Sequence, residues 1–222
     1  SFSFYAPLVE GEINLIAHWP FDDDSDPSKT VDKVSGIEGF LTGGAVYEDG
    51  LRGGSINFSA GGNATVRVDN GGFMNIASSV NQITFAFWQK NYSYPSSSSF
   101  WAAAPSSPSG ERGAQAHVPW GNGSIFWDTA GCCGGGDTRI NKDWAGRNLN
   151  TWNHFAFIKN GDAKEIWING ELFHSGDNTA PLPMDFQRLG IGSNQNGGSG
   201  ADVSIDDFAI FASGLTAEQI AD

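Results

Sequence analysis

The sequence predicts an all-β fold, an antiparallel β-sandwich of the jelly-roll type. Three observations carry the prediction. Short apolar and aromatic segments alternate with Gly-, Asn- and Asp-rich turns along almost the whole chain. Thirty glycines, eight tryptophans and sixteen phenylalanines stand beside only two methionines, a composition of tight turns between aromatic strands. There is no alternation of strand and helix patterns and no internal repeat, and 222 residues fit an undivided sandwich.

The elements follow in order. Residues 1–12 read as a lead-in or linker, and residues 13–222 as the domain. Residues 15–21 form a first strand, followed by the acidic loop 22–27. Residues 53–58 and 64–68 are strands on either side of Gly61-Gly62. In residues 83–90, Ile83, Phe85, Phe87 and Gln89 share one face, and Thr84, Ala86, Trp88 and Lys90 the other. Residues 100–104 are a strand between two Pro/Ser-rich loops, and residues 124–128 a strand leading into a Cys-Cys loop. Residues 152–159 and 164–169 make a hairpin across Asn160-Gly161-Asp162, with Phe155, Phe157, Ile166 and Ile168 in the core. Residues 171–174, 187–192 and 203–211 complete the strands. The helical signal is terminal: Thr216 caps residues 217–220, with Gln219 at capping-box spacing.

The formal net charge is −13, and the twelve basic residues form no stripe. This excludes a nucleic-acid or anionic-membrane surface. No run of about 18 apolar residues is present, so no membrane insertion is expected. The chain begins at Ser1, which suggests a processed or excised piece of a larger, multidomain protein.

Cys132 and Cys133 are the only cysteines, so within one chain they can bond only to each other. Disulfides favour Cα separations of about 4.4–6.8 Å, and neighbours across a trans peptide sit at about 3.8 Å. A bridge would be a strained eight-membered ring that closes almost no loop and adds little to stability. Strain of that kind points to a site. The alternative is two reduced thiols in a loop.

Several segments resemble the laminin-G-like, concanavalin-A-like jelly-roll family. Residues 17–22 (AHWPFD) are similar to its opening strand and 50–58 (GLRGGSINF) to its second block. Residues 152–157 (WNHFAF) with 165–172 (EIWINGEL) are similar to its central hairpin, and 205–211 (IDDFAIF) with 215–220 (LTAEQI) to its close. The loop 127–140 resembles a bacterial subset in which Cys-Cys and Arg-Ile accompany an upstream His-x-Pro-Trp, here residues 117–120. The resemblance implies a secreted, periplasmic or cell-surface module. Its relatives bind sugars, bind proteins or cleave polysaccharides.

No catalytic residue is assigned. Glycosidases need paired carboxylates about 5–9.5 Å apart, and neither the acid-x-Asp-x-Glu strand of the glucanases nor the lyase motifs of this fold occur. Asp22, Asp24 and Asp26 begin like an EF-hand, but Lys33 stands where its closing Glu belongs. The resemblance instead implies a structural Ca²⁺ between the first and closing strands, with Asp22, Asp207 and, less directly, Asp32 as metal ligands.

A sugar site combines flat apolar platforms with a few directed polar groups. Trp120 and Trp144 supply platforms in loops, and a Cys132–Cys133 ring would be another. Asp128 accepts from hydroxyls, and Arg139 and His117 donate. Trp19, Trp88, Trp152 and Trp167 are expected in the core, and Trp127 between core and site. The expected function is non-catalytic recognition of a polysaccharide or glycan at His117, Trp120, Asp128, Cys132, Cys133, Arg139 and Trp144. The same face used on a protein partner is the alternative, and a polysaccharide-active enzyme the third reading. In a secreted, oxidising setting the two cysteines are expected as a vicinal disulfide.

Overall fold

The long alternating segment sets the frame. Ile83, Phe85, Phe87 and Gln89 point inward and are buried, while Trp88 and Lys90 stay half-buried on the opposite face. The computed structural model describes residues 13–133 and 137–221, so the expected lead-in 1–12 lies outside the described residues.

In chain order the strands are β1 (Leu15–Trp19), β2 (Lys29–Val31), β3 (Glu38–Thr42), β4 (Val46–Asp49), β5 (Gly54–Asn57), β6 (Thr65–Val68), β7 (Gln82–Asn91), β8 (Phe100–Ala103), β9 (Arg112–His117), β10 (Ser124–Thr129), β11 (Arg139–Asp143), β12 (Trp152–Asn160), β13 (Ala163–Ile168), β14 (Glu171–Asp177), β15 (Arg188–Ile191) and β16 (Val203–Phe211). They form two antiparallel sheets. The first runs β14-β13-β12-β7-β16-β5-β4, with β1 also paired to β16. The second runs β11-β10-β9-β8-β15-β6-β3-β2. Hairpin pairs alternate with neighbours distant in sequence, such as β7 with β12 and β16 and β15 with β6 and β8, as in a jelly roll.

The sheets meet over an aromatic core. Phe85 of the first sheet stacks on Phe100 of the second, with ring centroids 4.3 Å apart. Phe87, Phe155, Phe157 and Phe208 of the first sheet and Trp127 of the second pack around them. The predicted hairpin is β12 and β13, with Phe157 opposite Ile166 and Phe155 opposite Ile168. Three of these side chains are fully buried and Ile168 is half-buried against the core. At the chain end, Gln219 N–H donates to Thr216 Oγ1 and Thr216 N–H to Gln219 Oε1, the reciprocal pair of a capping box before the helix Ala217–Ala221.

Three features differ from the sequence expectation. Strands β2, β3, β4, β9 and β11 did not stand out: β2, β3 and β4 are only three to five residues long, and β9 (Arg-Gly-Ala-Gln-Ala-His) and β11 carry few β-branched or aromatic residues. A short helix, Asn75–Val80, precedes β7 and ends at Asn81 in the left-handed region, φ 52°. Of the four tryptophans expected in the core, only Trp19 lies there; Trp88, Trp152 and Trp167 are half-buried. A regular strand has two faces, and Trp88 falls on the outer one with Ala86 and Lys90. No helix among the described residues is long and apolar enough to cross a membrane.

Candidate functional site

Four neighbouring strands of the second sheet build the site. Their register places Trp101, Gln115, Asp128 and Arg139 in one row across β8, β9, β10 and β11. The adjacent row, Phe100, Ala116, Trp127 and Ile140, is buried in the core. Pleating therefore turns the first row to the outer face. His117 and Phe126 are paired two residues along, on that same face.

Arg112 reaches this face by a bulge. Ala102 pairs with Ala114 but Ala103 with Arg112, so β9 carries one extra residue there. Gly113 occupies the bulge, where a Cβ would lie 2.5 Å from the Phe186 ring and 2.9 Å from the Ala102 carbonyl oxygen. The extra residue breaks the alternation, and Arg112 Nη1 lies 2.9 Å from Asp128 Oδ2.

Asp128 is the hub. It is fully buried and accepts from Arg112 Nη1, from Arg139 Nε at 2.6 Å and from Arg139 Nη2 at 2.7 Å. The Arg139 pair is bidentate, which fixes the plane of the guanidinium. Each arginine also lies over a ring: Arg112 is 4.3 Å from the Trp101 centroid and Arg139 4.5 Å from that of Phe126. Burial is the main influence on Arg112 and lowers its pKa, while Asp128 opposes the shift.

His117 lies edge-on to Trp120, with centroids 4.4 Å apart, and to Phe126 at 5.7 Å. Burial pushes its pKa down to about 4, so the ring is neutral at neutral pH. Its Nδ1 lies 2.6 Å from the Ser97 carbonyl oxygen, an acceptor, so Nδ1 carries the proton. Nε2 is then an acceptor rather than the donor the sequence suggested. Trp120 follows the cis Val118–Pro119 bond in the turn between β9 and β10, where its N–H donates to the Ser124 carbonyl.

Cys132 and Cys133 form the vicinal disulfide, with Cα atoms 3.8 Å apart. Cys132 is buried and Cys133 exposed. Cys133 sits at φ 68°, a conformation that costs a non-glycine residue about 1–3 kcal/mol. Both ends of the loop are clamped: Thr129 N–H donates to the Thr138 carbonyl at 2.9 Å, and the buried Lys164 Nζ bonds the carbonyls of Trp127 and Thr138. Opposite, Gly190 lets residues 192–200 fold onto the sheet; a Cβ there would lie 2.5 Å from the Asn194 carbonyl oxygen.

The result is an open pocket of about 420 Å³, within the range of small-ligand sites. His117, Trp120, Cys133 and Arg139 line it, with Asp128 beneath the arginines and Cys132 behind its partner. Trp144 is elsewhere. It is buried in the core with its ring edge-on to Phe155 at 5.4 Å, because the loop after β11 folds inward at the end of the sandwich. Sequence reasoning missed Trp101, Arg112, Phe126 and Asn194. The alternation of small and polar residues in 113–117 was the available signal for β9, but the bulge that aims Arg112 had none.

The three expected metal ligands do not meet. Asp32 is buried and accepts from the backbone N–H groups of His18, Val34 and Ser35. Asp207 sits at φ 50° in a bulge of β16, which turns it outward to His18 Nε2 at 2.9 Å. Asp22 accepts from Gly54 N–H. No group of three or more His, Cys, Asp and Glu side chains suited to a metal occurs among the described residues. The acid turned inward is Asp206. Its Oδ2 accepts from Leu51 and Arg52 N–H, while Oδ1 is buried without a partner. Asp206 and Asp22 thus hold the same turn, and an orphaned carboxylate oxygen there suits a hard cation. Asp32 and Asp207 do not fit that role.

Residues 56–221 match the sequence profile of a laminin-G-like family described as the concanavalin A-like lectin/glucanases superfamily. No curated protein sequence matches the chain. Among solved structures it is similar to domain 4 of AbnA, an extracellular arabinanase from Geobacillus stearothermophilus, in complex with arabinotriose. The TM-score is 0.71 at 22% identity, covering 95% of this chain and 98% of that one. It is also similar to the botulinum neurotoxin serotype D binding domain (TM-score 0.68, 17% identity, 94% and 50% covered). A third is Trypanosoma rangeli sialidase (TM-score 0.67, 14% identity, 94% and 32% covered). The chain thus spans about half of the neurotoxin binding domain and about a third of the sialidase. At these identities the likeness is one of fold. With the profile match over most of its length, the chain belongs to the concanavalin A-like lectin/glucanases superfamily, in its laminin-G-like branch.

Proposed function

We propose that this domain is a non-catalytic carbohydrate-recognition module of a larger secreted or cell-surface protein, binding a glycan in the pocket beside the vicinal disulfide. One observation carries the reading: aromatic surfaces and directed polar groups converge on a single open pocket. Trp120 provides an apolar surface and Cys133 a sulfur plate, Trp101 and Phe126 seat the two arginines, and the arginines, His117 Nε2 and Asn194 supply the polar groups. This is the combination a sugar requires, with C–H faces stacked and hydroxyls hydrogen-bonded.

The pocket's chemistry supports recognition over hydrolysis. Glycosidases place two carboxyl groups about 5–9.5 Å apart. No carboxylate is among the residues lining this pocket, and Asp128 beneath it is held by two arginines. The arabinanase domain, solved with arabinotriose, is consistent with such a module in a polysaccharide-active protein.

A structural Ca²⁺ is part of the reading, held by Asp206 and Asp22 at the turn 51–54. Bound, it would neutralise buried negative charge there. Calcium added after chelation is expected to raise the melting temperature by mass action; an unmoved melting curve removes the ion from the reading. A glycan array tests recognition itself. Wild type is expected to bind a defined glycan subset, and Trp120→Ala to lose at least about tenfold in affinity, the equivalent of one stacking contact of about 1.4 kcal/mol. An array with no signal, or one unchanged by Trp120→Ala, overturns the proposal.

A further inference from the structure

The charge of the pocket is opposite to that of the chain. Acidic residues outnumber basic ones by 25 to 12. Yet the charged side chains lining the pocket are Arg112 and Arg139, with no Asp or Glu among the lining residues. Asp128 underneath balances one positive charge and leaves the other uncompensated. His117 adds none, since it is neutral at neutral pH.

The unused hydrogen-bond donors point the same way. Asp128 occupies Arg139 Nε and Nη2 and Arg112 Nη1. Arg112 Nε is buried without a partner, and among the described residues neither Arg112 Nη2 nor Arg139 Nη1 meets a protein acceptor. The Trp101 indole N–H is likewise buried and unpaired. A buried donor left unsatisfied is costly, more so on a charged group. A neutral sugar hydroxyl could accept some of these bonds but would leave the charge. An anionic oxygen group meets both needs, because a guanidinium edge matches carboxylate and sulfate oxygens. The rings under the guanidinium planes hold the arginines in place before any ligand arrives.

We infer that the pocket takes an acidic sugar residue, whose carboxylate or sulfate ester is held between Arg112 and Arg139 while the ring packs on the Trp120 and Cys133 side. The inference rests on the carbohydrate reading and narrows it to anionic glycans.

Isothermal titration with matched pairs of polymers tests it: polygalacturonate, alginate and hyaluronan, each against its carboxyl-reduced form, and a sulfated galactan against its desulfated form. At least one acidic member is expected to bind tenfold or more tighter than its neutral counterpart. That preference should shrink as sodium chloride is raised from 50 to 500 mM, because a charge contact is screened. The carboxylate and sulfate pairs separate the two sources of charge. Arg112→Gln is expected to bring the acidic polymer down to the level of its neutral partner, and Arg112→Lys to retain part of the preference. Melting curves of both variants report whether they fold, and the salt series on wild type stands without them. Equal binding within every pair overturns the anionic assignment and leaves carbohydrate recognition standing. Binding to no polymer, acidic or neutral, overturns both.

Discussion

Asp128 and Asp206 are both fully buried carboxylates, and the fold treats them in opposite ways. Asp128 lies under the pocket with two arginines on its two oxygens. Asp206 lies at the turn 51–54 with backbone N–H groups on one oxygen and nothing on the other. Burial pushes the Asp206 carboxyl up to about 6. A carboxylate matched by cations from its own chain organises those cations, and here that organisation shapes a pocket. A carboxylate left short of partners is a place for something from outside.

The largest effect should come from removing the hub. Asp128→Ala leaves two arginines close together without their counter-ion, and breaking such a buried pair costs about 3–5 kcal/mol. The arginines here keep some solvent contact, so the lower end is expected, read by urea denaturation. A loss below about 1 kcal/mol would show that the arginines relax to solvent and that Asp128 organises nothing.

Acid should come next. Burial lowers His117 and His154 to about 4 from an ordinary 6.5. Between those values the unfolded chain binds more protons, so stability is complete above about 6.5 and is lost as pH falls towards 4. For His117 the shift corresponds to about 3 kcal/mol. Asp206, shifted upward, opposes this between about pH 4 and 6. Melting curves from pH 7 to 4 should therefore fall, and His117→Phe should flatten them. A flat wild-type profile would contradict the burial assigned to these rings.

Asp206→Asn should be mild, within about 1 kcal/mol of wild type at pH 7, since the amide oxygen can still accept from Leu51 and Arg52 while the buried charge is removed. It should also abolish any calcium-dependent rise in melting temperature. A rise that survives the substitution would move the ion away from this turn.

The smallest effect on stability is expected at the disulfide. Replacing Cys132 and Cys133 together by Ser opens no long loop, so the melting temperature should change little. Glycan affinity should fall by more, through loss of the apolar plate. A collapsed fold with unchanged affinity per folded molecule would assign the pair to structure.

The sandwich was legible where alternation is strong. In residues 83–90 and in the central hairpin, large aromatics mark one face and the register follows. The sequence pattern was weakest where small residues line a strand, as in β9, and where a bulge shifts the phase. Both bulges that matter here had that effect. One brings Arg112 into the pocket, and the other turns Asp207 outward while Asp206 stays buried. Five residues of the pocket region were legible as a cluster because His117, Trp120, Asp128, Cys133 and Arg139 lie close in sequence, on three consecutive strands and the loops that join them. Trp144 belongs to the same stretch, but proximity along the chain does not reveal whether a loop folds inward or outward.

The clamp on the Cys-Cys loop has a consequence for how such a domain diversifies. Asp128 and Arg139 face each other in the ladder, Thr129 and Thr138 close the last rung, and Lys164 ties both ends from below. The first residues of the loop are fixed to the same frame, since the Ala130 and Gly131 N–H groups donate to the Gly113 and Arg112 carbonyls. A change of side chain at Cys133, the exposed end of the disulfide, is therefore expected to alter the rim of the pocket while its floor keeps its place. A pocket anchored in this way can vary its edge separately from the sandwich that carries it.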